Sequence, residues 1–385
     1  MDDTSLSFTV AAGLLDVSPA DWNTLANPQG ERFDPFLSWE FLEAMESSGA
    51  ATAQTGWLPQ HILIHAAGRL AAAMPLYVKS HSRGEFVFDQ GWADAFERAG
   101  GAYYPKLLSA VPFTPVTGRR LLVAPGPDAD RLKRALYSAA VQLAEDANLS
   151  SFHLNFIDEP TSALLSDASF LHRTDQQFRW QNNSYTEFDD FLADLSSAKR
   201  KNLRKERAKA QDGVIFHHVT GDDITEAHLD RFFHFYMDTG ARKWGTPYLN
   251  RESFSLLRQR LSEHILFVFA EIDGDIIAGA MNMIGSDTLY GRYWGSVIHR
   301  PMLHFETCYY QAIDYAIAHD LKFVEAGAQG QHKLARGYVP TKTRSAHWIA
   351  HSGLRGAVQT YLEHERDAVD SDIALLAKHT PFRKD

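Results

Sequence analysis

The feature that most constrains this chain is the dipeptide Asp273-Gly274 and what stands on either side of it. The apolar run Ile265-Leu266-Phe267-Val268-Phe269-Ala270 leads in, and Ile276-Ile277-Ala278-Gly279-Ala280-Met281 leads out. Asp-Gly between two such runs is the strongest short hairpin signal, because its turn needs φ above zero at both central residues. A third, aromatic strand follows from Tyr290 to Gly295. Phe305, Tyr309, Ala312, Ile313 and Ala316 then fall at the spacing of one buried helix face. Phe323-Val324-Glu325 is a short strand that runs into Gly327-Ala328-Gln329-Gly330-Gln331-His332-Lys333. Hairpin, helix and strand in this order make an α/β (α+β) unit with a mixed, largely antiparallel sheet flanked by helices. Its polar cluster falls past the last strand, where open sheets hold their ligands.

The same order occurs earlier in the chain. His61-Ile62-Leu63-Ile64 turns at Ala67-Gly68-Arg69 into a return strand from Leu70 to Val78. A helix from Arg131 sets Leu132, Leu136, Ala139, Ala140, Leu143 and Ala147 on one face and stops near Asn148; Phe152 to Phe156 is the next strand. The spacing predicts two tandem halves, 1–180 and 181–385. The first carries an extra segment, 81–118, crowded with aromatics, which reads either as a binding element or as packing. The second begins past the turn-rich Asn182-Asn183-Ser184 with a basic helix over 199–209, which Ser196-Ser197 can cap. It closes on an amphipathic packing helix through Leu354, Val358, Tyr361, Val369, Ile373 and Leu376.

Composition narrows the class. A chain of 385 residues exceeds one ordinary core, and 45% hydrophobic content excludes disorder. No apolar run reaches the roughly 20 residues of a membrane span, and the acidic start, Met1-Asp2-Asp3-Thr4, lacks a secretory signal layout. Cys308 is the only cysteine, which rules out an intrachain disulfide and fits a reducing cytoplasm. None of the eighteen histidines stands in a metal-ligand spacing, so no metal is expected, and nothing calls for a cofactor. The net charge is −10, yet Lys199 to Lys209 holds seven basic residues against Glu206 alone. Lys201, Arg204 and Lys205 on this helix either bind phosphates or form a solvated face.

Several stretches together resemble the FemAB-like branch (peptidoglycan biosynthesis/recognition) of the GNAT N-acyltransferase superfamily. They include Tyr103-Tyr104-Pro105-Lys106, Val111-Pro112-Phe113-Thr114-Pro115-Val116, Arg242-Lys243-Trp244-Gly245 and Leu289-Tyr290-Gly291-Arg292-Tyr293-Trp294-Gly295. The most specific are His304-Phe305-Glu306, Cys308-Tyr309-Tyr310-Gln311, Gly327-Ala328-Gln329-Gly330 and His332-Lys333-Leu334-Ala335-Arg336-Gly337. The resemblance implies two tandem GNAT-like domains and an N-acyltransferase. The donor would be an aminoacyl-tRNA or an acyl-CoA, and the acceptor a small amine or cell-wall precursor. From Ser296 to His304 there is no glycine, so the backbone cradle that acetyl-CoA-dependent relatives use for pyrophosphate is not expected in this half.

Acyl transfer to an amine needs an oxyanion partner, a proton acceptor and groups that hold the substrates. Lys333, just after a glycine-rich loop, is the candidate oxyanion partner. Glu306, His332 and Glu325 are candidate bases; for Glu306 the alternative is a carboxylate favoured at a helix start. Arg336 and Arg292 suit a phosphate or carboxylate. Gln329, Trp294, Arg242, Lys243, Trp244, Tyr104 and Lys106 complete the candidate substrate contacts. The other class that fits is a non-catalytic GNAT-fold module that binds a cell-wall or nucleotide-linked ligand.

Overall fold

The computed structural model describes residues 6–383 except 167, 244–246 and 328–330. The chain divides into two compact units. The first holds the chain up to Asp175 together with Lys342–Asp370; the second holds Gln176–Thr341 and the segment from Ser371. Where a single cut near residue 180 was expected, the chain thus returns to its first unit near the end.

In the first unit, β1 (Leu6–Ala11), β3 (His61–Ala66), β4 (Arg69–Met74) and β7 (Leu122–Val123) form an antiparallel sheet in the order β1-β3-β4-β7. The β3–β4 turn places Ala67 and Gly68 at φ 49° and 74°, the left-handed pair that a two-residue hairpin needs. β2 (Trp57–Pro59), β5 (Tyr77–Lys79), β6 (Lys106–Ser109) and β8 (Ser151–Leu154) pair in the order β2-β5-β6-β8, the last two in parallel. The expected return strand Leu70–Val78 is therefore two strands in two sheets, broken at Pro75, which has no N–H to give a ladder. Segment 81–118 is no simple insert either. It supplies β6, at the heart of the sheet, and the helix Gln90–Arg98. The helix Ala129–Asp146 buries Leu136, Ala140 and Ala144 on Ile62, Ile64, Leu107 and Phe152; Ala147 lies beyond it and is exposed, and Asn148 takes φ 52°.

β9 (Leu171–Gln181) carries the chain from one unit into the other. In the second unit β10 (Ile215–Thr220), β11 (Ile265–Ile272), β12 (Asp275–Ile284) and β13 (Thr288–Ser296) are antiparallel neighbours, and Asp273 and Gly274 turn the hairpin at φ 51° and 87°. β14 (Phe323–Glu325) pairs in parallel with β13 and antiparallel with the end of β9. β15 (Val339–Ile349) leads back, and its Ala346–Ile349 stretch pairs with β8. Trp180, Phe191, Leu266, Val268, Leu289, Ile313, Val324 and Tyr338 centre the second core.

The last helix, Ser352–Ala377, buries Leu354, Val358 and Leu362, while Tyr361, expected on the packing face, is half exposed. Among the described residues no helix is long and apolar enough to cross a membrane.

Candidate functional site

The parallel pair in the second unit is short. β13 and β14 match from Thr288 and Phe323 to Tyr290 and Glu325. Beyond Tyr290, β13 runs on to Ser296 along β12, whereas β14 ends and the chain continues through Ala326 and Gly327. Gly291 marks the divergence, where a Cβ would come within 3.3 Å of the Glu325 carbonyl. The carboxyl end of a strand that has lost its neighbour is where an open sheet can take an extended ligand.

A 3-10 turn, Gln331–Arg336, closes this end. Its Lys333 points inward, 3% exposed, and Nζ donates to the carbonyls of Ala326 at 2.5 Å and Gly327 at 2.9 Å. Burial lowers the amine to about 8; Cys308 opposes the shift and Arg292 on β13 adds to it. At neutral pH Lys333 is therefore a charged donor, with one N–H beyond those that tie the turn to β14.

Around it stand groups of mixed character. His332 is exposed, with Nε2 3.0 Å from the Tyr309 hydroxyl and its ring 5.5 Å from Phe305 and 6.2 Å from His304. The His304 ring in turn lies 5.1 Å from that of Trp294. Arg336 is buried: Nη1 donates to the His332 carbonyl at 2.7 Å, Nη2 to Glu206 at 2.8 Å, and the guanidinium lies 3.4 Å over Phe305. Lys333, His332, Arg336 and Trp294 thus share one neighbourhood, and Arg292 reaches it from β13. Glu325 is half-buried at the end of β14. Trp244 and Gln329 lie outside the described residues, as do the side chains of Arg242 and Lys243.

Glu306 faces another way. It is fully buried and accepts from Arg207 Nη2 at 2.9 Å, Gln211 at 2.9 Å and Gln311 at 2.8 Å, while Arg207 also pairs with Asp314 at 2.5 Å. A buried carboxylate with this many partners is a structural anchor between the two helices. On the helix Ser197–Gln211, Arg207 is drawn inward by this anchor, whereas Lys201, Arg204 and Lys205 are exposed. Arg204 reaches Asp189 at 3.2 Å, across a groove of about 460 Å³. Ser196 stands at the N-cap of this helix, but its side chain makes no capping bond.

The first unit holds a separate polar assembly, most of it buried. Lys106, fully buried, donates to Ser82 and Glu85, each at 2.8 Å, and to Asp89. These bonds occupy all three of its N–H groups. Tyr103 donates to Asp89 at 2.7 Å, and Tyr104 shares a hydrogen bond of 2.8 Å with Ser82. His153 and His347 meet Nδ1 to Nδ1 at 2.7 Å, flanked by Ser151 and Ser345. Burial pushes Glu85 up to about 7 against the pull of Lys106, and lowers Lys79, which lies over the Trp57 ring, to about 7 against the pull of Glu85. Burial would raise Asp89 too, but the Lys106 charge and hydrogen bond hold it well below the usual range. Lys106, a candidate substrate contact in the sequence, is here an internal tie.

Sequence reasoning missed Tyr309 and His304 as members of the strand-end cluster, and it took Tyr104 and Lys106 for substrate contacts without finding the pairing of Lys106 with Glu85 and Asp89 or the meeting of His153 with His347. The signal for the first pair was present in the helical spacing that sets Phe305 and Tyr309 on one face. For the second there was none: Lys106 and Glu85 are 21 residues apart, and His153 and His347 are 194 apart.

A family model described as peptidoglycan biosynthesis/recognition, FemAB-like, matches residues 13–384. Among solved structures, FemX aligns with a TM-score of 0.56 at 13% identity, covering 89% of this chain and 98% of its own. L-PGS from Bacillus licheniformis aligns with a TM-score of 0.51 at 10% identity, covering 92% of this chain and 99% of its own. No curated protein matches the sequence. At such identities the two structures establish the fold alone.

Proposed function

This chain belongs to the FemAB-like family, and on that premise we propose that its two units are tandem GNAT-like domains and that it is a transferase that moves an acyl or aminoacyl group from an activated donor to an amine. The observation that carries the reading is Lys333: a buried ammonium, tied to the end of β14 and set beside the stretch of β13 that has outrun its neighbour.

Each role follows from chemistry. The donor's ester or thioester carbonyl lies along β13 past Gly291, within reach of the remaining N–H of Lys333. As the amine attacks, negative charge gathers on that oxygen, and a preorganised cation in a water-poor site stabilises it more than it stabilises the ground state. Lys333 supplies that cation. His332, exposed beside it, takes the proton released by the attacking amine and returns it to the departing tRNA hydroxyl or CoA thiol as the tetrahedral intermediate collapses and the ester or thioester bond breaks. Arg336 holds the turn in place through Glu206 and the His332 carbonyl, and Arg292 faces an anionic group of a substrate. Glu325 stands second to His332 as a base. Lys201, Arg204 and Lys205 bind a polyanionic part of the donor, which favours aminoacyl-tRNA over acyl-CoA; the acceptor is a small amine or a cell-wall precursor.

The test is a transfer assay. The protein is incubated with aminoacyl-tRNA or acyl-CoA and with amine acceptors that include peptidoglycan precursors, and the acceptor is weighed by mass spectrometry. The reading expects an acceptor heavier by one acyl group with one donor class. Donor and acceptor that bind yet never react would establish a non-catalytic binding module instead.

A further inference from the structure

In the first unit the last helix and the start of β9 enclose a cleft of about 390 Å³, a volume in the range of small-ligand sites. Its floor is apolar, with Phe170 and Leu362 both buried. Arg355 and Arg366 line it from one face of the helix, about 16 Å apart along the axis at the rise of an α-helix, and both are half-buried. Backbone carbonyls hold the two guanidinium groups. Arg355 donates from Nε to Ile349 at 2.8 Å and from Nη2 to Ala350 at 3.5 Å, and Arg366 donates from Nη1 to His172 at 2.7 Å. Most N–H donors of each fork remain beyond these bonds, and among the described residues neither arginine pairs with a carboxylate. Arg173, in the same unit, is different: it gives Nε and Nη2 to Glu365 at 2.7 and 2.6 Å.

We propose that this cleft binds an elongated dianion with an apolar middle, one anionic group on each of Arg355 and Arg366; a straight-chain dicarboxylate is the simplest such molecule. The planar forks match carboxylate and phosphate geometry, and the buried floor takes the chain between them. Glu363 decides where the ligand's charge can lie. It is exposed, stands between the two arginines along the helix, and accepts from Gln359 Nε2 at 3.4 Å. A carboxylate there repels negative charge in mid-cleft, which disfavours a run of phosphates and favours charge at the two ends. Burial lowers the His172 imidazole against a bond to the Leu165 carbonyl, and Arg366 adds to the shift, so His172 is neutral at pH 7 and the arginines supply the positive charge. The cleft shares no residue with the strand-end cluster of the second unit and does not depend on the transferase reading.

Equilibrium dialysis of the full chain against labelled succinate, adipate, suberate and sebacate tests this, with octanoate as the control that carries a single charge. Suberate and sebacate are expected to bind. Succinate, too short to reach both arginines, and octanoate should bind roughly tenfold more weakly or worse, the scale of one charge-assisted contact. Arg355→Gln and Arg366→Gln should each bring suberate down to the affinity of octanoate. Glu363→Gln, at an exposed position, should tighten suberate binding at an unchanged unfolding midpoint. Binding of none of the dicarboxylates overturns the proposal. So does an affinity indifferent to chain length or to the second charge, or a folded arginine variant that binds suberate as the wild type does. Should either arginine variant fail to fold, the order of the probes on the wild-type chain decides.

Discussion

The two units build similar parallel strand pairs and use their lysines in opposite ways. In the first, β6 and β8 run side by side, and Lys106, on β6, spends every N–H on Ser82, Glu85 and Asp89 inside the core. In the second, β13 and β14 part after Tyr290, and Lys333 ties two backbone carbonyls at the strand end, beside an exposed His332. A buried charge is tolerated when it is matched, and a matched charge has nothing left to offer a substrate. One lysine therefore holds a fold together, and the other is the one to which we assign a part in the proposed transfer.

The largest effect that sharpens this contrast is expected at Lys106. Lys106→Met strands Asp89 and Glu85 without their cation and should cost about 3–5 kcal/mol of folding free energy, read as a shift of the urea midpoint at unchanged slope. A variant as stable as wild type would erase the distinction drawn between the two lysines.

A smaller effect is expected on the surface of the second unit. Reversing Lys201, Arg204 and Lys205 to Glu should weaken the binding of tRNA, used as a polyanionic probe, by on the order of tenfold or more at low salt. Screening should close the gap at high salt. Equal affinity at low salt would leave that helix a solvated face.

The smallest effect is a pH dependence of stability in the first unit. Glu85 is raised from 4.5 to about 7 on folding, so its contribution is fully present below 4.5 and lost as pH rises through 7. Lys79 is lowered from 10.5 to about 7, so the folded chain lacks its proton between those values and stability recovers as pH rises there. Together they place a shallow minimum near neutrality. Glu85→Gln should remove the acidic limb of that minimum, as urea unfolding at a series of pH values would show; an unaltered limb would assign it to other groups.

Much of the fold was legible because its determinants are local. Asp273-Gly274 and Ala67-Gly68 announce hairpins whose turns need left-handed backbone, and the structure turns there. The helix stop at Asn148 and the strands β13 and β14 were equally visible. What escaped depends on partners distant in sequence. Pro75 splits one apparent strand between two sheets, and β6 hides in a segment that looks like a loop until β5 and β8 flank it. The site followed the same divide. Lys333, His332 and Arg336 lie within five residues of one another and read as a cluster. Glu306 also read as chemistry, because nothing in its vicinity betrays Arg207, 99 residues earlier. The π-turn that begins at Glu306 likewise has no mark in the sequence.

The most direct test of the central claim is the single-turnover rate of Lys333→Met, measured at pH 7 with the donor and acceptor found by the transfer assay. Loss of one preorganised oxyanion partner predicts a fall of roughly a hundredfold or more in a protein that still folds and still binds both substrates. A folded Lys333→Met chain that transfers at the wild-type rate would contradict the account.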